Sequence, residues 1–115
     1  MPENITPETE YLTIPDLVEL FELNQSKVRR LLEDHHLAAV RVDGVLKVPA
    51  LFVKDGEPLA SLRGTLLALH DAGFSSDEAV AWLLAPNDEL DGRPVDLLRA
   101  GNKSAVRRAT QSLAF

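Results

Sequence analysis

The segment LTIPDLVELFELNQSKVRRLLEDHHLAAVRVDGVLKV, residues 12–48, contains the pattern that decides the fold. Thr13 and Asp16 have the spacing of a capping box, in which each side chain accepts a hydrogen bond from the other residue's backbone N–H at the start of a helix. Apolar side chains follow with the i, i+3, i+4 spacing of a buried helical stripe: Leu17, Leu20 and Phe21. We therefore expect a first helix over about residues 14–22, with this stripe in the core.

A second helix is predicted only two residues later. Asn24 is a favoured N-cap residue, and the apolar side chains that follow again share one face: Val28, Leu31 and Leu32. The polar side chains of the segment then point outward: Gln25, Ser26, Lys27, Arg29 and Arg30. We expect this helix to end near residues 35–36. Two short helices joined by a tight turn match a helix-turn-helix, although the glycine that is frequent in such turns is missing.

A β-hairpin is predicted over residues 39–48. Asp43 and Gly44 stand between β-branched residues, and Asp-Gly is a strong signal for a type I′ turn, which needs a positive φ at both positions. Pro49 lacks a backbone donor, so we expect it to end the ladder. A hairpin directly after a helix-turn-helix is the wing of a winged helix.

The second half of the chain is predicted to be helical. We interpret residues 55–58 as a loop, and leucines at helical spacing then predict a helix from residue 62. Gly73 and Gly101 are expected to be C-cap glycines, and Ser75 with Glu78 has the spacing of a capping box. Pro94 is expected at the start of a helix, and Asn102 at the N-cap of the last helix. The inward apolar residues of that last helix are Val106, Ala109 and Leu113.

These elements predict a mainly α fold, a winged helix-turn-helix with a small β-hairpin wing, packed on a C-terminal helical bundle. Residues 1–11 are expected to be a flexible N-terminal tail because they offer little to bury. Residues 12–58 form the winged helix-turn-helix and residues 59–115 the C-terminal helical domain in this prediction.

The composition counts against several classes of protein. The 115 residues carry a net charge of −6 and include no cysteine, which removes disulfides and thiolate metal sites. His35 and His36 are adjacent, so on a helix they point about 100° apart and cannot chelate one ion from one face. We find no glycine-rich phosphate loop, nucleophile elbow or catalytic triad, and we expect no enzyme, cofactor or metal site. An acidic start and the lack of a long apolar segment predict a cytoplasmic protein without membrane contact.

The positive charge is nevertheless concentrated in two zones. A recognition helix presents polar and cationic side chains from its first turns to the major groove, and the second helix and the wing have such residues. We predict contacts with double-stranded DNA from eight positions: Gln25, Ser26, Lys27, Arg29, Arg30, Arg41, Gly44 and Lys47. The alternative is that these are solvated residues of an ordinary surface helix. The unbroken order of helix, tight turn, basic helix and hairpin favours DNA.

The second basic zone lies on the predicted last helix, at Lys103, Arg107 and Arg108. Three interpretations stay open: it extends the DNA contact, it complements the acidic tail, or it is simply solvated. Trp82, the only tryptophan, lies in an apolar helix and is expected in the core rather than in a ligand platform.

The chain resembles an actinobacterial (mycobacterial-type) family of winged helix-turn-helix DNA-binding proteins, whose known member is a serine/threonine protein kinase substrate. The resemblance covers nearly the whole chain and rests on these motifs: Leu12-Thr-Ile-Pro-Asp-Leu-Val-Glu-Leu-Phe21, Ser26-Lys27-Val28, Leu37-Ala-Ala-Val-Arg41, Leu69-His-Asp-Ala-Gly-Phe74, Gly92-Arg-Pro-Val-Asp-Leu97, Ala105-Val-Arg-Arg-Ala109 and the terminal Phe115. The winged part also resembles excisionase-like and MerR-like domains. The resemblance implies a transcription regulator, associated with the nucleoid, whose second helix contacts DNA.

The resemblance implies two further partners. A serine/threonine kinase would modify a threonine of the tail, with Thr9 as the first candidate and Thr6 as the second. Residues 90–98 look like the toxin-binding part of certain antitoxins. This supports an alternative function, an antitoxin-like module whose C-terminal helices bind a partner protein or a second copy of the chain.

Overall fold

The computed structural model describes residues 10–113. Within that range it is mainly α, with six helices, one 3₁₀ turn and five short strands. In chain order these are β1 Tyr11–Thr13, α1 Ile14–Phe21, α2 Gln25–Glu33, β2 Val40–Val42, β3 Val45–Pro49, the 3₁₀ turn Ala50–Phe52, β4 Val53–Lys54, β5 Glu57–Pro58, α3 Leu62–Asp71, α4 Ser76–Leu84, α5 Pro94–Arg99 and α6 Lys103–Gln111. No helix in this range combines the length and the apolar character that crossing a bilayer requires.

The predicted capping chemistry of α1 and α2 is confirmed. The Thr13 hydroxyl accepts a hydrogen bond from the Asp16 N–H at 3.2 Å, and the Asp16 carboxylate accepts one from the Thr13 N–H at 2.9 Å. The Asn24 side-chain oxygen accepts a hydrogen bond from the Lys27 N–H at 2.9 Å. Each helix therefore begins where its cap residue predicts, because the cap satisfies an N–H that has no partner inside the helix.

The expectation that Leu20 lies in the core is wrong, since its side chain is 45% exposed. The buried residues of α1 are Ile14 and Leu17, with Val18 and Phe21 packed beside them. This stripe begins one turn earlier than predicted. At 100° per residue, Leu20 lies about 110° from the centre of the stripe, and so it faces solvent.

Two helix ends adopt left-handed backbone without glycine. Glu22, in the tight turn after α1, has φ 57°, which explains how the turn forms without its usual glycine. His35 has φ 66° at the end of α2, where the His36 N–H donates to the Leu31 carbonyl at 2.9 Å. This is the hydrogen bond of a Schellman motif, and it ends α2 at Glu33, slightly earlier than predicted.

The wing belongs to a three-stranded antiparallel sheet in the order β1-β3-β2. Asp43 and Gly44 have φ values of 55° and 81°, as the predicted hairpin turn requires. The third strand, β1, was not predicted. Its Tyr11, which we assigned to the tail, pairs with Pro49, so the expectation that Pro49 ends the ladder is also wrong. The β2 pairing already stops at Lys47, and Pro49 continues along β1 instead.

The interpretation of residues 55–58 as a loop is correct for Asp55 and Gly56 and wrong for Glu57 and Pro58, which form a strand. Asp55 and Gly56, with φ values of 55° and 74°, form the turn of a second small hairpin between β4 and β5. The motif is the same Asp-Gly pair that forms the wing turn. Its strands have only two residues each, too few to show an alternating pattern in the sequence.

The C-terminal helices follow the predicted signals. Gly73 and Gly101 adopt positive φ after α3 and α5, and the Ser75–Glu78 capping box at α4 is present. Asn102 occupies the N-cap position of α6, but its side chain makes no capping hydrogen bond. Val106 and Ala109 are buried, whereas Leu113 is half-buried.

One core joins the winged part to the C-terminal helices. Fully buried residues from both parts belong to it: Leu17, Val28, Leu37, Val48, Phe52, Leu62, Leu69, Leu83, Val95 and Val106. Trp82 packs against this core but is only half-buried, so the prediction that it lies in the core holds in part.

Polar contacts also join the two parts. The Arg63 guanidinium donates to the Asp34 carbonyl at 2.8 Å. The Arg99 guanidinium donates to the carbonyls of Leu51 and Val53 at 2.9 and 2.8 Å. The winged part is therefore held in a defined orientation on the helices.

Candidate nucleic-acid interface

The outer face of α2 presents all five residues that the sequence predicts on this helix. Val28 is fully buried against the core, which fixes the rotation of the helix. The predicted residues are all exposed: Gln25, Ser26, Lys27, Arg29 and Arg30. Ser26 and Arg30 lie opposite Val28, about 160° around the helix, whereas Lys27 and Arg29 lie on its two flanks at about 100°.

The cations of this face have no ion-pair partner within the described part of the chain. An ion pair joins Arg93 to Asp96 at 2.7 Å, in the C-terminal half. Glu33 is exposed on α2, three residues after Arg30 and four after Arg29, yet it pairs with neither. Lys27, Arg29 and Arg30 are thus available to an external anion, with one carboxylate close to them.

The start of α2 offers fewer backbone donors than an uncapped helix would. Asn24 already accepts the Lys27 N–H. The N–H groups of Gln25 and Ser26 have no partner among residues 10–113, so two donors remain beside the cationic side chains.

The wing does not bring its two cations together. Arg41 pairs with Leu46, and Lys47 pairs with Val40. Directly paired residues point to the same side of a sheet and consecutive residues to opposite sides, so Arg41 and Lys47 project from opposite faces. Arg41 is exposed on β2, whereas Lys47 is half-buried on the middle strand.

Gly44 lies at the exposed tip of the wing, and a side chain placed there would meet nothing within 4 Å. Its carbonyl accepts a long hydrogen bond, 3.4 Å, from the Arg41 guanidinium. The tip is therefore open to a close approach by a ligand.

Sequence reasoning missed two features around this surface. The strand β1 places Thr13 directly beside Lys47, and no local pattern marks such a short strand. His35, at the end of α2, contacts His70 of α3, with ring centroids 5.6 Å apart. The described residues contain no group of three or more His, Asp or Glu side chains that could hold a metal ion.

The second basic zone lies on α6, far along the chain from α2. Its Lys103, Arg107 and Arg108 are all exposed, and α6 contacts α3 and α5. Thr6 and Thr9, the predicted phosphorylation sites, and the terminal Phe115 lie outside the described residues.

Comparison with known proteins finds one family over both parts of the chain. Residues 3–53 match the winged helix-turn-helix domain of DNA-binding protein Rv2175c, and residues 59–114 match the Rv2175c C-terminal domain of unknown function. The DNA-binding protein Rv2175c of Mycobacterium tuberculosis is 34% identical over 124 residues, which cover 96% of this chain and 85% of that protein. An excisionase of Streptomyces ambofaciens is 35% identical over 51 residues, covering 44% of this chain and 79% of the excisionase.

The fold agrees with a solved structure. The NMR structure of Rv2175c superposes with a TM-score of 0.86 at 31% sequence identity, covering 99% of this chain and 87% of that one. The predicted fold class, a winged helix-turn-helix with C-terminal helices, is therefore confirmed.

Proposed function

Because this chain belongs to the family of the DNA-binding protein Rv2175c, we propose that it is a transcription regulator that binds duplex DNA with α2 and the wing. The observation that carries the proposal is the outer face of α2. There Lys27, Arg29 and Arg30 are exposed and have no ion-pair partner among the described residues. The phosphates of a DNA duplex would neutralise these cations, since protein–DNA interfaces are polar and strongly positive.

The residues of this face divide by position. Ser26 and Arg30 point away from the core and contact base edges in the major groove, where arginine pairs with guanine O6 and N7. Gln25, Lys27 and Arg29, on the flanks of the helix, contact the phosphates on either side. Phosphate contacts set the register of the helix, and base contacts supply the sequence preference.

The wing adds a smaller contact in this proposal. Arg41, on the exposed strand β2, and the open tip at Gly44 approach the backbone or the minor groove. Lys47 is half-buried on the opposite face of the sheet, so it contributes less to DNA affinity than the sequence predicts.

Regulation by phosphorylation belongs to the same proposal. A phosphate on Thr9, or on Thr6, adds nearly two negative charges to a cytoplasmic DNA-binding protein and opposes its approach to DNA. Thr9→Glu is then expected to weaken DNA binding, with Thr9→Gln as the uncharged control. Equal affinities of the two variants would contradict this part.

Fluorescence anisotropy with a 30-base-pair duplex over a salt series tests the central proposal. With four or five phosphate contacts, log affinity is expected to fall with log salt at a slope of about −4. Lys27→Ala/Arg30→Ala is expected to reduce that slope by about 0.9, because Lys27 contacts a phosphate whereas Arg30 contacts a base edge. Arg30→Ala alone is compared with Arg108→Ala, which removes the same charge from an exposed site elsewhere. Binding that does not depend on salt, or equal losses of DNA affinity in the two single variants, would overturn the proposal that α2 contacts DNA.

A second candidate function has one specific observation in its favour. Phe74 and Trp82, both half-buried, line an open and largely apolar groove between the end of α3 and α4. Aromatic side chains in such grooves are typical anchors for a protein partner, as the antitoxin-like alternative requires. Titration with the product of an adjacent toxin-like gene, followed by Trp82 fluorescence, tests it. Phe74→Ala must abolish the interaction if this groove is the docking site.

A further inference from the structure

A groove between α3 and α6, the α3–α6 groove, is a cationic surface outside the winged part. It has a volume of about 310 Å³, and α6 contributes Lys103 and Arg107 to its wall. These two residues are four apart, so they stand one above the other on the same face of the helix. Val106 and Ala109 of α6 are buried in the core, and the buried Thr110 lines the floor of the groove beside Arg107.

The charge of the groove is uncompensated. Neither Lys103 nor Arg107 forms an ion pair with any described residue. None of the groove's lining residues is acidic, and α6 itself contains no Asp or Glu. In a chain of net charge −6, this is a local site whose lining attracts an anion.

The wall of the groove that α3 forms has only small side chains, which leave the helix backbone accessible. Gly64 and Ala68 of α3 line it together with Thr65. Gly64 has no positive φ, and a Cβ built on it would meet nothing within 4 Å. Neither backbone conformation nor packing therefore requires glycine here, although glycine disfavours a helix. Glycine at this position leaves the backbone of α3 open to a ligand in the groove.

The chemistry of the groove favours a nucleic-acid backbone over a protein. Its walls consist of small, hydroxyl, amide and cationic side chains, and no aromatic or large aliphatic residue lines it. Protein partners usually need a buried apolar anchor, which the Phe74–Trp82 groove has and this groove lacks. Phosphate–sugar backbones need cations and polar donors, both of which are present.

The molecule is short compared with a 30-base-pair duplex. The longest extent of the described chain is 37 Å, which corresponds to about eleven base pairs at 3.4 Å each. We infer that the α3–α6 groove binds the phosphate backbone of the DNA duplex beyond the bases that α2 contacts, which assigns a DNA-clamping role to the C-terminal domain. The inference rests on the proposed function.

The test compares groove variants with a matched variant of the same helix. Affinity for a 30-base-pair duplex is measured by anisotropy over a salt series for wild type, Lys103→Ala/Arg107→Ala and Arg108→Ala. Arg108 is exposed on α6 but does not line the groove. A fourth variant, Gly64→Gln, fills the groove without a change in charge, and thermal melts establish that each variant is folded.

The groove variants are expected to bind DNA more weakly than the control. Lys103→Ala/Arg107→Ala should lose roughly tenfold in affinity at low salt and reduce the salt slope by about 1.8. Gly64→Gln should weaken binding as well, whereas Arg108→Ala should leave the slope nearly unchanged. An effect of Arg108→Ala as large, per charge removed, as that of the groove pair would overturn the inference, because net charge alone would then explain it.

Two other outcomes separate this inference from the proposed function. If Lys27→Ala/Arg30→Ala abolishes DNA binding while all groove variants bind as wild type, α2 binds DNA and the groove does not. If a poly-glutamate peptide binds wild type but not the groove variants, and DNA affinity is unchanged, the groove is a protein site. If wild type binds no duplex even at low salt, the proposed function and this inference fail together.

Discussion

At the scale of single residues, the helix-turn-helix has a strained position where glycine is usually found. Glu22 is held at φ 57° between α1 and α2, and its exposed side chain forms no hydrogen bond or ion pair with another described residue. Left-handed backbone costs an ordinary residue about 1–2 kcal/mol. The chain therefore tolerates strain at the junction that sets the angle between its first two helices.

Glu22→Gly is expected to raise the stability of the protein. Relief of the left-handed strain outweighs the additional entropy of glycine in the unfolded chain, leaving a gain of about 0.5–1 kcal/mol. The melting temperature should rise by about 2–4 °C, measured by circular dichroism. Glu19→Gly, on the exposed face of α1, is the matched control and should destabilise by about 1 kcal/mol. A lower melting temperature for Glu22→Gly would show that the Glu22 side chain stabilises the turn.

At the scale of elements, α2 carries the proposed DNA contact, and one of its own side chains, the Glu33 carboxylate, opposes that contact. Glu33 shares the outer side of the helix with Arg29 and Arg30 and has no ion-pair partner in the described range. A carboxylate at this position repels the phosphates that the arginines attract. The helix is thus less favourable to DNA than its three cations alone would make it.

Glu33→Gln is expected to strengthen DNA binding about threefold at low salt, since an exposed charge interaction is worth about 0.2–1 kcal/mol. Because salt screens exposed charges, the gain should shrink as the salt concentration rises. Anisotropy against the same duplex measures both effects. Glu19→Gln removes an equal charge from α1 and should change affinity less. Equal gains in the two variants would point to net charge rather than to α2.

At the scale of the whole molecule, Arg99 holds the winged part on the C-terminal helices. Its guanidinium donates to the Leu51 and Val53 carbonyls, and its own carbonyl accepts from the Lys54 ammonium at 2.8 Å. These residues are more than 40 positions apart in the chain. Together with the continuous core, this contact predicts that both parts unfold as one unit.

Arg99→Ala is expected to destabilise the protein by about 2–4 kcal/mol, because it removes two charge-assisted hydrogen bonds and leaves half-buried carbonyls without a partner. Urea denaturation, with one transition in wild type, measures the loss. Arg108→Ala, exposed and on the neighbouring helix, should stay within about 0.5 kcal/mol of wild type. A loss for Arg99→Ala no larger than that would mean that the core alone joins the two parts.

The features that the sequence by itself determined are those that depend on residues within four positions of one another. The capping boxes at Thr13 and Ser75, the Asp43–Gly44 turn and the exposed face of α2 all follow from local hydrogen bonds and helical periodicity. The predicted DNA-contacting residues of α2 are therefore placed together as expected, and their role stays a prediction.

Only the tertiary structure decided the features that join distant segments. Strand β1 forms because β3, more than 30 residues later, offers a free edge. Arg41 and Lys47 are near neighbours in sequence, yet the pairing register of the sheet puts them on opposite faces. Leu20 is exposed because the core contacts α1 along a stripe centred elsewhere, and the α3–α6 groove exists because two helices pack side by side. Such contacts form from surfaces that meet only after folding, and no local pattern in the sequence encodes which surfaces meet.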